Sequence, residues 1–247
     1  MARLNKSATY TEDCPEKQPE KAIEGYDALI KWAEAYLADD AAVRQEVVNA
    51  RFNKAATYTE GFPEKQPEKA IEGYDALIKW AEPYLADDAA VRQRVAMAFL
   101  GKAATYTEDF PEKQPEKAIE GYDALIKWAE PYLADDAALS TKLLQTYRIL
   151  GFVFMTYLTP PAPDKSLEAS EAGIQLCLAH EMQARSPEYP HLLEHKAEAL
   201  WALNRKEEAI QLAHKVVTDF ADSQDKDIQI AVKEARTKLI EWENGDA

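Results

Sequence analysis

The stretch PEKAIEGYDALIKWAE occurs three times without a change, at residues 19–34, 67–82 and 115–130. It lies inside a longer copied unit. Lys6, Lys54 and Lys102 mark the same point in successive copies, so the period is 48 residues. A fixed period of roughly 20–50 residues signals a solenoid, propeller or array, in which each unit buries its apolar face on its neighbours.

In the first copy Ala22, Ile23, Tyr26, Leu29, Ile30, Ala33, Tyr36 and Leu37 recur at steps of three and four. That is the stripe of an amphipathic helix. Lys21, Glu24, Asp27, Lys31 and Glu34 fill the other face. Pro19 suits a first helical turn, where a missing N–H is harmless. Gly25 sits mid-helix, at a cost of about 1 kcal/mol against alanine. A glycine there marks a place where a neighbouring backbone comes close.

The other half of the unit is also helical. In DDAAVRQRVAMAFLGKAATY, residues 87–106, Val91, Val95, Phe99, Leu100 and Ala103 share one face. Asp87 and Asp88 are N-cap candidates. The connector TEDFPEKQP holds two prolines among polar residues and reads as a loop. Each unit is therefore an antiparallel helical hairpin.

Composition narrows the function. Hydrophobic residues at 47% with 30% charged residues describe a folded chain with a wet surface. A net charge of −15 argues against nucleic acid, whose phosphates it would repel, and leans toward basic partners. No run approaches the ~18 apolar residues of a membrane span. The opening MARLNKSATYTED has no apolar core, so no secretory signal is expected. Cys14 and Cys177 lie far apart without CxxC spacing, and Phe62 and Phe110 hold the place of Cys14 in the other copies. This usage suits a cytoplasmic location.

The chain is expected to form one all-α, right-handed solenoid over residues 1–247. Residues 1–138 carry the three copies, the first with a shortened first helix. Residues 139–222 form two divergent hairpins, and 223–247 a capping helix. Helices are predicted at about 17–37, 40–60, 65–85, 88–108 and 113–133. Another continues past Ala138 through Leu139, Leu143, Leu144, Tyr147, Leu150 and Val153. TPPAPDK at 159–165 reads as a loop, with Ser166 capping the next helix. Further helices are predicted at about 190–203, 205–220 and 225–243. Pro83 and Pro131 are expected to end or kink their helices, although Ala35 holds that place in the first copy. Trp32, Trp80 and Trp128 recur with the period and read as packing between repeats.

Several of these residues resemble the tetratricopeptide repeat family, whose pattern has Leu-Gly in the first helix, Ala-x-x-x-aromatic in the second and a closing Pro. Leu100-Gly101 and Leu150-Gly151 match the first element; Phe52-Asn53 departs from it. Ala22-x-x-x-Tyr26, Ala70-x-x-x-Tyr74 and Ala118-x-x-x-Tyr122 match the second, and Pro83 and Pro131 fall near the third. AEALWALNRKEEAIQLAHKVV, residues 197–217, looks like an ordinary member. The copied units are longer than the family's roughly 34 residues. Residues 54–90 and 102–138 differ only at Gly61 versus Asp109, even on the surface. Such identity points to recent amplification or to engineering on a natural parent.

The resemblance implies a non-catalytic scaffold that holds a peptide or partner protein in a concave groove lined by first helices. By the match to Leu100-Gly101, Lys102, Thr105 and Tyr106 face it. The copies add Lys54, Thr57 and Tyr58, and Lys6, Thr9 and Tyr10. Arg148 and Trp201 fall near the same track. Lysine stands where the family's carboxylate clamp has asparagine, so the clamp itself is not reproduced. A ladder of Lys and Tyr suits an acidic or C-terminal peptide. The alternative is a structural or self-assembling array without a peptide ligand. Because the first hairpin lacks the front of its first helix, Ile23, Tyr26 and Ile30 are expected to face water and to drive self-association.

One motif points to different chemistry. His191-Leu-Leu-Glu194-His195 spells HxxEH, the inverted zincin pattern, with two histidines one turn apart as zinc ligands and a glutamate as base. No third ligand is evident, and the bland reading is a helix surface carrying two histidines. No Gly-rich phosphate loop, GxSxG or Cys/His cluster is present. The expectation is therefore no enzyme and no cofactor.

Overall fold

The computed structural model describes residues 18–37, 40–134, 136–182 and 186–245. Lys6, Thr9, Tyr10 and Cys14 lie outside them, as does the shortened first helix of the first copy. The described residues form ten α-helices and no strand. In order these are α1 (Pro19–Ala33), α2 (Ala41–Glu60), α3 (Pro67–Ala81), α4 (Ala89–Glu108), α5 (Pro115–Ala129), α6 (Ala137–Thr156), α7 (Pro163–Ala179), α8 (Glu188–Ala202), α9 (Lys206–Phe220) and α10 (Lys226–Asn244). Among them no helix is long and apolar enough to cross a membrane.

The chain divides into two compact units between Tyr132 and Leu133. In the N-terminal unit each of α1 to α5 packs on the next, and α2 also packs on α4. In the C-terminal unit each of α6 to α10 packs on the next, with α6 also on α8 and α8 on α10. Each unit is thus a solenoid-like stack of tandem hairpins, with first helices in one layer and second helices in the other.

The helix starts follow from the sequence. Asp40, Asp88 and Asp136 cap α2, α4 and α6, each accepting a backbone N–H from the first turn: Ala42 N at 2.8 Å, Val91 N at 3.1 Å and Leu139 N at 3.1 Å. Pro19, Pro67 and Pro115 occupy the first position of α1, α3 and α5. The loops before them close in one way. Gln66 N donates to the Tyr58 carbonyl and Gln114 N to the Tyr106 carbonyl, each at 2.8 Å.

The fourth hairpin repeats this closure. Ala162 N donates to the Phe154 carbonyl at 2.9 Å, and α7 starts at Pro163. These positions lie 48 residues beyond Gln114, Tyr106 and Pro115, so the period outlasts the identity. Ser166 therefore does not cap α7, contrary to expectation. It lies inside the first turns, buried, and its hydroxyl donates to the Gly151 carbonyl of α6 at 3.1 Å. The prolines Pro83 and Pro131 do not decide where their helices end. α3 and α5 pass into a single 3-10 turn at Glu82 and Glu130, and α1, with Ala35 in that place, does the same at Glu34.

The mid-helix glycines do mark close approach. A Cβ built on Gly73 would lie 2.8 Å from the Ala55 Cβ, and one on Gly121 2.9 Å from the Ala103 Cβ. Around this contact Ala70, Tyr74 and Leu77 are buried with Val91 and Val95 of α4, while Ile71 and Ile78 are only half-buried. Trp80 packs against the core of the preceding hairpin, and Trp128 against that of the second and third. The stripe of α1 is not open to water as expected. Ala22, Tyr26, Leu29 and Ala33 are buried with Val47 and Ala50 of α2, and Ile23 and Ile30 are half-buried.

Candidate functional site

In the C-terminal unit the first helices α6, α8 and α10 stand side by side, and a cleft of about 360 Å³ opens across them. Each helix supplies residues about one turn apart, which places them on one face. From α6 come Arg148, Ile149 and Phe152; from α8, Glu188, His191 and His195; from α10, Asp227, Ile230 and Glu234. Phe152 and Ile230 are 45% and 48% exposed, so two large apolar side chains stand open beside the cleft.

Polar contacts tie the three helices together. Arg148 of α6 pairs with Glu188 of α8. His191 of α8 meets the Asp227 carbonyl of α10 at 3.0 Å through Nε2. A carbonyl only accepts, so this nitrogen carries the hydrogen. Deeper in, Lys238 of α10 pairs with Glu194, and with Glu198 at 2.8 Å. Burial opposes the Lys238 charge, but the two carboxylates outweigh it and hold the ammonium above its ordinary range.

The histidines of the HxxEH motif are therefore not on a helix surface. His191 and His195 are buried, and Glu194 is 2% exposed. Burial, reinforced by Arg148, pushes His191 down to about 4. Burial, reinforced by Lys238 and Arg148, does the same to His195. Both are neutral at pH 7. Burial also raises Glu194 against the pull of Lys238, and raises Glu234 with help from neighbouring Glu194. Among the described residues no group of three or more His, Cys, Asp or Glu side chains is placed to hold a metal. The motif's glutamate is turned to Lys238 instead.

No family model, curated protein or solved structure matches this chain.

Of the residues the sequence placed on a concave track, the cleft contains Arg148. Lys54 and Lys102 reach Asp27 and Asp75 on the preceding second helices, each at 2.6 Å. Thr57 and Thr105 are buried, and their hydroxyls donate to the carbonyls of Asn53 and Gly101, one turn back. Tyr58 and Tyr106 are half-buried and stack on Phe62 and Phe110, with Lys69 and Lys117 over their rings. Trp201 stacks on Trp242 with ring centres 4.7 Å apart.

Sequence reasoning missed Phe152, Ile230, Asp227 and Glu234. One signal was available for the first. Phe152 stands where the copied units carry Ala56 and Ala104, so an aromatic ring replaces a methyl group on that face. Nothing comparable marks α10, which lies outside the period.

Proposed function

We propose that the chain is a non-catalytic scaffold that docks a segment of a partner protein in the cleft between α6, α8 and α10. The observation that carries this is the pair of exposed apolar side chains, Phe152 and Ile230, on opposite walls of a cleft cross-braced by Arg148–Glu188 and His191–Asp227. Concave sites with apolar walls and a few fixed polar groups are the usual form of a binding site. First helices lining such a site agree with the resemblance to tetratricopeptide repeats. Panning a random peptide library on the protein and on Phe152→Asp tests the reading. Sequences enriched on the wild type and lost on the variant support it; equal enrichment, or none, contradicts it.

One observation favours self-association as a second reading. Trp32 and Tyr36 are 47% and 51% exposed, while Trp80 and Tyr84 at the same places in the next copy are half-buried. Sedimentation across a range of concentrations tests it, and a monomer throughout would contradict it.

A further inference from the structure

The charges around the cleft indicate what kind of segment it takes. The cation that lines it and the one beneath it are already paired. Arg148 is held by Glu188, and Lys238 by both Glu194 and Glu198. Asp227 and Glu234 line the cleft and, among the described residues, form no ion pair. They sit seven residues apart on α10 with Ile230 between them, so two unpaired carboxylates flank an exposed aliphatic side chain on one helix face. The lysines that suggested an acidic ligand are spent on Asp27 and Asp75 in the N-terminal unit.

We infer that the cleft binds a partner segment carrying large apolar side chains next to lysine or arginine. This rests on the docking reading above. The apolar side chain would settle between Phe152 and Ile230, and the basic groups would meet Asp227 and Glu234. A cleft with an excess of one sign of charge and low-dielectric walls concentrates ligands of the other sign, and such complementarity governs specificity and on-rate more than raw affinity. The net charge of the chain acts in the same direction.

The test uses the full chain and three short fluorescent peptides. Each has a pair of leucines flanked by lysines, by glutamines or by glutamates. Anisotropy is followed at low and at moderate salt. The lysine peptide is expected to bind tightest and to weaken with salt. Asp227→Asn combined with Glu234→Gln, which removes both charges with almost no change of shape, should weaken it about tenfold while leaving the glutamine peptide unchanged. If the glutamine or glutamate peptide binds as well as the lysine one, the charge inference is overturned and the docking cleft survives. If no peptide binds, and library panning also returns nothing, both are overturned.

Discussion

Gly73 of α3 stands directly against Ala55 of α2: a side-chain carbon on the glycine would come within 2.8 Å of the alanine Cβ and 3.2 Å of its Cα. The same contact recurs one period later between Gly121 and Ala103. This is how the helices of a copied hairpin come close enough to bury Tyr74 and Leu77. Gly73→Ala would gain about 1 kcal/mol of helix propensity, but forcing a methyl into the contact costs typically about 1–3 kcal/mol. The expected result is a lowered urea midpoint, partly restored by adding Ala55→Gly. A single variant more stable than the parent would show that the helices can part cheaply.

Leu77 is wholly buried at the centre of the same hairpin. Leu77→Ala should destabilise by about 2–5 kcal/mol, through lost burial and the cavity left behind. Chemical denaturation measures it. A change near zero would mean that the core of the copied unit lies elsewhere.

Asp88 has two tasks. It caps α4 through Val91 N, and it receives Arg44 Nε from α2 at 3.3 Å. Asp88→Ala should cost about 1 kcal/mol for the cap and somewhat more for the lost pair. Asp88→Asn keeps the cap oxygen and should recover most of the loss. Equal thermal shifts for the two variants would contradict this division.

The two histidines in the cleft give a pH dependence. An unfolded imidazole titrates near ~6.5, while His195 in the fold is held at about 4. Between those values the unfolded state binds more protons. The histidine therefore subtracts stability as pH falls through that window, and nothing further below it. The raised carboxyls of Glu194 and Glu234 act in the opposite sense, because the folded state holds their protons more tightly. A difference experiment separates the two. The stability of the wild type relative to His195→Gln should fall by about 2 kcal/mol between neutral pH and pH ~5. A gap independent of pH would mean that His195 is not buried as a neutral ring among Arg148, Glu198 and Lys238.

Much of the fold was legible because the sequence states it three times. Periodicity fixes the helices, and Asp40, Asp88 and Asp136 mark where first helices begin. The expected start of α7 lies four residues late, because Ser166 is a good cap by composition, whereas the cap is Ala162 and Pro163 keeps the 48-residue period. The period was the stronger signal, but it is hidden once side chains diverge. The site was less legible. Counting from Leu100-Gly101 selected residues that the structure commits to the hairpins themselves: Lys54 and Lys102 to ion pairs, Thr57 and Thr105 to carbonyls one turn back. What lines the cleft depends on how α10 lies against α8, and that is set by His191 on the Asp227 carbonyl and Glu194 on Lys238. These contacts join residues about 40 apart, which no local pattern reveals.

The most direct test of the docking cleft is an amide hydrogen-exchange footprint of the full chain with the lysine-flanked leucine peptide. The account predicts slowed exchange on α6, α8 and α10 around Phe152, His191 and Ile230, lost in Phe152→Asp. Protection confined to the loops around Tyr58 and Tyr106, or none at saturating peptide, would contradict it.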